Sequence, residues 1–491
     1  MDALNTANLS AIGQRVAIPT YDRRSLTPGI VHFGVGGFHR AHQAMLLDRL
    51  MNDGKAFEWA ICGVGVLPAD KRMKQVMDTQ DGLYTLVAKH ADGKLEPRVI
   101  GSIIDYLYAP DDPESVIETM AALSTRIVSL TVTEGGYNFD HVTGEFNFDE
   151  PAVAHDLAAD STPKTTFGLI TEALRRRLER DLPPFTVQSC DNIQGNGETA
   201  RAMFKAFAER KAPQVAAWME TDVCFPNAMV DRITPVTTDA DINQIRAQFA
   251  IDDAWPVVCE PFIQWVIEDN FNQGRPPYED VGAQIVEDVE PYELMKLRLL
   301  NASHQALCYF GYLAGYRYAH EVAQDQLFAD FILQYMVYEA TPTLAPVPGI
   351  DLDNYRQSLI ERFANPAIKD TLARLCAESS DRIPKWLLPV IREQLANDGP
   401  MESTAAVVAS WARYAEGIDE AGAPIEIVDR IADELRALAA NNRTQPTAFI
   451  ANRKLFGDLV DNERFVSAYL WALGNLHQNG ARATVSALTQ Q

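Results

Sequence analysis

A lysine, an asparagine and a histidine share one short stretch, Lys296-Leu297-Arg298-Leu299-Leu300-Asn301-Ala302-Ser303-His304, inside an otherwise apolar helical pattern. At about 100° per residue they fall within an arc of roughly 140°, with His304 between the other two. Leu297, Leu300, Leu307, Cys308 and Gly311 share that arc. The face is therefore expected to be buried, and buried polar groups must find partners or do chemistry. The chemistry open to this set is proton transfer, because desolvation lowers a lysine pKa toward neutrality and leaves an amine able to accept a proton. Taken alone, the same residues also fit a helix whose lysine snorkels to solvent while Asn301 and His304 satisfy backbone groups.

A second group of residues has the spacing of a nucleotide site. The apolar run at residues 30–34 enters the turn Gly34-Val35-Gly36-Gly37-Phe38-His39, and residues 41–51 then show helical periodicity. Strand, turn and helix in that order give a dinucleotide pyrophosphate close backbone approach and helix N-terminal amides. His39 occupies the third glycine position of G-x-G-x-x-G, so the generic fingerprint is incomplete, and a structural glycine turn is the other reading. After the second strand, Asp70 is placed to bind the adenosine ribose hydroxyls and to repel a 2′-phosphate, which favours NAD. Lys71 and Arg72 directly after it would instead welcome that phosphate, and Asp70 also suits a helix start.

Two further segments lie just past strand ends, where ligands gather in such sheets. They are Thr131-Val132-Thr133-Glu134-Gly135-Gly136-Tyr137-Asn138, with Glu134 offered to the cofactor, and Ser189-Cys190-Asp191-Asn192-Ile193-Gln194-Gly195-Asn196-Gly197. The Asn192 carboxamide is a donor suited to an alkoxide developing on a substrate, although turn chemistry alone explains Gly, Asn and Asp in such loops. A third loop sets Asn227, Asp231 and Arg232 among apolar residues, where ion pairing is a competing explanation. Tyr292 and Lys296 form Y-x-x-x-K, the active-site spacing of short-chain dehydrogenases. That assignment is rejected, because the pair opens a helical region here and does not lie near the middle of a sheet.

These residues need a scaffold of two parts. Strands are expected at residues 30–34, 59–66, 127–133, 186–190 and 257–260, with helices such as 113–123 and 165–180 between them, so the first part reads as a largely parallel α/β sheet. Beyond about residue 285 amphipathic stretches take over, at 293–316, 327–339, 353–364, 405–416 and 426–440. The expected division is a Rossmann-like NAD-binding domain at 1–285 and a mainly α-helical substrate and catalytic domain at 286–491, with the active site in the interdomain cleft. The segment at 341–353, with Pro342, Pro346, Pro348 and Gly349, reads as a stiff irregular connection.

Composition bounds the function from outside. The chain has 491 residues, 47% of them hydrophobic, and 43 Lys and Arg against 67 Asp and Glu give a net charge of −24. Such a surface disfavours nucleic acid and anionic membrane. No secretory signal or bilayer-spanning run is expected. The six scattered cysteines read as reduced thiols of a cytoplasmic protein and not as a zinc site.

Taken in order, GVGGFHRAHQ (34–43), TVTEGGYN (131–138), SCDNIQGNG (189–197), FPNAMVDRITP (225–235) and K-x-x-x-x-N-x-x-H (296–304) resemble the polyol-specific long-chain dehydrogenases, and most of all their bacterial mannitol-oxidising members. The resemblance runs from about Gly29 to beyond Lys385 and includes WPVVCEPF (255–262) and LAPVPGIDL (344–352). It implies a metal-independent, NAD-dependent enzyme that interconverts a secondary alcohol of an open-chain polyol and the ketose, of the D-mannitol to D-fructose type, with D-arabinitol and D-sorbitol as further substrates. Lys296 matches the family's general base, Asn192 and Asn301 the pair that holds the oxyanion, His304 a substrate-orienting residue, and Glu293 a proton relay to solvent. Asp231, Arg374 and Arg382 match the groups that hold distal hydroxyls, Arg382 standing where the resembling enzymes carry lysine. His39 is then the family's own variant, Asp70 matches the acid associated with NAD preference, and a monomer is expected. A uronate reductase, with Arg374 or Arg382 gripping a carboxylate, and a non-catalytic NAD sensor are the competing readings.

Overall fold

Five short runs pair side by side, and the three central ones are buried along almost their whole length because strands of such a sheet are covered on both faces. In chain order they are β1 (Pro28–Phe33), β2 (Ala60–Gly65), β3 (Ile103–Tyr108), β4 (Ile127–Leu130) and β5 (Thr186–Ser189). They form one sheet in the order β3-β2-β1-β4-β5, every pairing parallel. The computed structural model describes residues 1–139 and 144–490, and its chain divides into two units, Met1–Val289 and Glu290–Gln491.

Side chains from the sheet of the first unit feed two separate cores. Ile30, Ala60, Ile61 and Ile127 pack with helices Gln43–Asn52 and Lys71–Thr79. Val31, Phe33, Cys62, Val64, Val128 and Leu130 pack with Thr166–Glu179, Asn196–Lys211 and Pro213–Thr221. The order of strands reverses between β1 and β4, so Gly34 and Thr131 sit at the switch point, where the helices on either side diverge and leave backbone accessible.

Four of the five expected strands lie in this sheet, and the fifth does not. Val257–Cys259 pairs with Tyr84–Lys89, which pairs in turn with Leu95–Ile100, in a separate three-stranded sheet. A further three-stranded sheet joins Ala228–Asp231, Gln264–Glu268 and Gln284–Val286. The expected helix at 41–51 is two helices, Gly37–Ala41 and Gln43–Asn52, broken at His42 (φ −121°, ψ −93°). The His42 ring bonds the carbonyl of Gln264 and stacks on Phe38, which holds it out of helical register.

The second unit is helical. The expected single stretch at 293–316 proves to be α-helix Glu290–Met295, a π-helical turn at Lys296–Asn301 and α-helix Ala302–Leu313. Gln326–Gln334 likewise continues into a π-helical turn, Tyr335–Ala340. Ala302–Leu313 packs against Leu372–Cys376, Glu402–Tyr414 and Glu463–Leu488, and its residues from Ala302 to Gly311 are all buried. The stretch expected at 426–440 is helical only over Ala432–Ala439. There the Asp429 carboxylate accepts hydrogen bonds from Ser380 N, Ser380 Oγ and Ile431 N, drawing the first residues away from helix. The long Glu463–Leu488 segment, kinked at Gly480 (φ 82°), is absent from the sequence expectation.

Candidate active site

In the first unit the glycine turn is built from β1 upward. Gly34 has φ 89°, and a Cβ there would lie 2.1 Å from the carbonyl oxygen of Thr131, so no other residue fits. Gly36 and Gly37 differ: their added Cβ atoms would meet only Gly34 O at 3.8 Å and Thr234 Cγ2 at 3.7 Å. The protein's own packing does not require those two glycines, and the bare backbone they leave suits a pyrophosphate approaching the amides that follow. Val35 is buried in the core beneath.

The His39 ring does not face that open side. It is buried and stacked on His32 at 3.4 Å between centroids, with Nδ1 bonded to Gln43 Oε1 at 3.2 Å. His32 bonds Ser129 Oγ at 2.8 Å and Thr131 Oγ1 at 2.9 Å. Burial lowers the His32 pKa to about 3 and places His39 well below the usual histidine range. Two neutral rings thus prop the turn from below, and what His39 offers a cofactor is its place in the backbone.

Asp70 Oδ2 accepts from the N–H groups of Val66 and Leu67, each at 2.9 Å, so the carboxylate is fixed at the end of β2. Both roles open in the sequence, ribose acid and helix start, are compatible with this position. Arg72 lies over the Trp255 ring at 4.3 Å and Lys71 Nζ is 3.7 Å from Asp111, so both basic neighbours are directed to other partners.

The loops after β4 and β5 are tied together by a residue that sequence reasoning left without a role. Buried Asp191 accepts from Val132 N at 3.1 Å, Thr133 N at 2.8 Å and the Tyr137 hydroxyl at 2.8 Å. Desolvation raises its pKa. Thr133 has φ 65° and ψ 169°, a strained conformation for a β-branched residue that persists only where neighbours enforce it. Asp191 thereby fixes the turn leading into Glu134–Tyr137, and Asn192 follows it directly on an exposed position. Asp231 ends Ala228–Asp231 and is 4% exposed. In the same loop Arg232 donates to the carbonyls of Ala41 and Glu260, and Asn227 Oδ1 accepts from Gly197 N, so these two residues hold backbone.

In the second unit Lys296, Asn301 and His304 are 7%, 4% and 9% exposed, and Glu293 is also buried. The π-helical turn corrects the projection that assumed 100° per residue. Its hydrogen bonds run from residue i+5 back to i, as from Ala302 N to the carbonyl of Leu297, so Asn301 follows Lys296 by about one turn. Burial is also wider than one stripe, since Arg298 and Leu299 are buried and Leu297 is only half-buried. Arg298 reaches Glu393 Oε1 at 2.6 Å. Asn301 Nδ2 is buried with no hydrogen-bond partner among the described residues, and His304 packs against Phe363. Tyr292 donates to the carbonyl of Pro348 at 2.7 Å, which supports rejecting it as the acid of a Y-x-x-x-K pair.

Arg374 makes a two-pronged pair with Asp370, Nε to Oδ1 at 2.6 Å and Nη2 to Oδ2 at 2.5 Å. Arg382 donates to the carbonyls of Arg374 at 3.2 Å and Leu375 at 3.0 Å. Both arginines therefore stand in one cluster, already engaged. Among the described residues no group of three or more His, Cys, Asp or Glu side chains is placed to hold a metal ion, and no helix is long and apolar enough to cross a membrane.

Residues 28–280 match the mannitol dehydrogenase Rossmann domain and residues 288–476 the mannitol dehydrogenase C-terminal domain. The chain belongs to the mannitol dehydrogenase family. It is 46% identical over 493 residues to a mannitol 2-dehydrogenase of Aspergillus fumigatus, covering 98% of each chain. The structure is similar to that of Pseudomonas fluorescens mannitol 2-dehydrogenase, solved as a ternary complex with NAD and D-mannitol, at a TM-score of 0.89, 45% identity and full coverage of both chains. It is also similar to a D-sorbitol dehydrogenase in substrate-free form, at a TM-score of 0.92 and 35% identity over 98% of this chain and all of the other. A Rossmann sheet followed by a helical domain is thus the architecture of this family, as the motifs implied.

Proposed function

We propose that this mannitol dehydrogenase family member is an NAD-dependent polyol dehydrogenase. It oxidises a secondary alcohol of an open-chain sugar alcohol, of the D-mannitol type, to the ketose, without a metal ion and as a cytoplasmic monomer. The observation that carries the reading is the pair on the wide turn: a buried lysine and, one turn on, a buried carboxamide whose N–H donor has no partner among the described residues. An alcohol is a far weaker acid than water at neutral pH can deprotonate unaided, so its oxidation needs a base and fixed donors for the alkoxide.

Lys296 Nζ takes the proton from the reacting hydroxyl. Asn301 Nδ2 donates to the oxygen as negative charge develops there, and Asn192 is the second donor. His304 orients the same hydroxyl, and Glu293 passes the proton from Lys296 outward. Asp231 holds distal hydroxyls together with Arg374 and Arg382. Gly34 to His39, Asp70 and Glu134 hold the cofactor, with the bare amides after Gly36 facing the pyrophosphate. Bound NAD supplies the hydride acceptor. The pairing of Arg374 with Asp370 matches its charge, which argues against its gripping a uronate carboxylate while leaving a donor role toward a neutral hydroxyl.

The test is a spectrophotometric panel of D-mannitol, D-arabinitol and D-sorbitol with NAD and with NADP, each with and without a chelator. Turnover of a polyol with NAD that survives chelation is expected. Faster turnover of fructuronate or tagaturonate, loss of activity on chelation, or NAD binding without turnover would each overturn the reading.

A further inference from the structure

The two π-helical turns of the second unit, Lys296–Asn301 and Tyr335–Ala340, pack against each other. Turns of this kind are rare because their wide geometry is less favourable than α-helix, and they need support from outside the helix. Here the support is reciprocal. Tyr335, the first residue of one turn, donates its hydroxyl to the carbonyl of Arg298 in the other at 2.7 Å. Arg298 sends its guanidinium back to the carbonyl of Thr343, just beyond the Tyr335 turn. Thr341 Oγ1 closes the second turn on the carbonyl of Met336 at 2.6 Å and accepts from Arg356 at 2.9 Å.

We infer that Tyr335 is a positioning residue for proton transfer: its hydroxyl, by holding the Arg298 carbonyl, fixes the wide turn that sets Asn301 one turn after Lys296. The role rests on the base and donor assignments made above. If the Lys296–Asn301 segment reverted to α-helix, each residue after it would rotate by about 100° relative to Lys296, and Asn301 would move from about one turn after the lysine to roughly 140° away from it. Tyr335 is fully buried, and desolvation places its pKa well above the usual tyrosine value, so the hydroxyl stays a donor at every working pH. Its aromatic ring touches neither substrate nor cofactor in this scheme, and only the hydroxyl is assigned the task.

Tyr335→Phe removes that hydroxyl and little else. In full-length enzyme, kcat for polyol oxidation is expected to fall about tenfold, a fraction of the ~10²-fold that a 1 Å misplacement costs. KM should change less, the pH midpoint of kcat/KM should shift, and NADH binding measured by fluorescence should be unaltered. Arg298→Lys, which disturbs the reciprocal bond and keeps Tyr335, should move kcat and the midpoint in the same direction. A Tyr335→Phe enzyme with wild-type kcat and midpoint would overturn the inference. So would a loss of rate fully accounted for by a smaller folded fraction. Lys296→Ala, assayed beside it, separates the two readings. Retained turnover in Lys296→Ala removes the base assignment and this inference with it, whereas an inactive Lys296→Ala beside an unaffected Tyr335→Phe removes this inference alone.

Discussion

Asn301→Ala should separate activity from stability in an unusual direction. In most buried sites, truncating a polar side chain breaks a hydrogen bond and lowers both. Here the donor being removed has no partner among the described residues, so no bond to it is lost and a buried unsatisfied group disappears, a change worth about 1–3 kcal/mol in favour of the fold. Alanine also has better helix propensity by roughly 0.6 kcal/mol. The small void left behind works against both, so the folded enzyme should be at least as stable as wild type. Turnover should move the other way, because a donor aimed at a developing oxyanion contributes about 10²- to 10³-fold, or about 2.7–4 kcal/mol. The assay pairs NADH absorbance during polyol oxidation with thermal unfolding followed by circular dichroism. A kcat within threefold of wild type refutes the oxyanion role. A kcat loss accompanied by a matching fall in Tm refutes the claim that the donor is unpaired in the resting fold.

Three further outcomes follow from the same geometry. Lys296→Ala should lower turnover by about 10²-fold or more; in the wild type, kcat/KM for oxidation should rise with pH as the amine loses its proton, while that for ketose reduction falls, and the mutant should show neither limb. His32 is neutral in the fold with its pKa lowered to about 3, so its contribution is complete above its unfolded value and is lost as pH drops through that window. Stability measured by denaturant midpoint should therefore fall by about 2 kcal/mol between pH 7 and pH 5 on account of this ring, and His32→Gln should flatten that dependence. Gly34→Ala places a Cβ 2.1 Å from Thr131 O at φ 89° and should abolish NADH binding with a large loss of Tm, whereas equal binding and Tm would contradict the described turn.

Much of this was legible in the sequence because the signals were local. Gly34 between an apolar run and a helical period marks strand, turn and helix, and the order of β1, β2, β4 and β5 with helices between them implies a parallel sheet. Lys296, Asn301 and His304 stand out because they interrupt an apolar pattern. Other features were not legible, for physical reasons. A π-helical turn uses the same residue types as an α-helix, so nothing in Lys296 to Asn301 announces the change of closure. Asp191 acquires its role only when loops 58 residues apart meet, and Tyr335 reaches a carbonyl 37 residues away. The pairing of Arg374 with Asp370 spans four residues and was open to reading, yet the resemblance drew attention to the arginine alone. The strand at Leu95–Ile100 was hidden by Pro97 and Arg98, which break the apolar alternation.

Gly36 has consequences for anyone who tries to make this enzyme more robust. Its backbone lies at φ −87° and ψ −174°, a conformation alanine adopts freely, and the space beside it is open. Replacing such a glycine rigidifies the unfolded chain and stabilises a protein by about 0.4–1 kcal/mol. A screen that ranks variants by heat resistance would therefore favour Gly36→Ala, and a screen that ranks them by turnover would discard it. If Gly36 admits the cofactor as proposed, thermostability and cofactor access compete at this one methyl group.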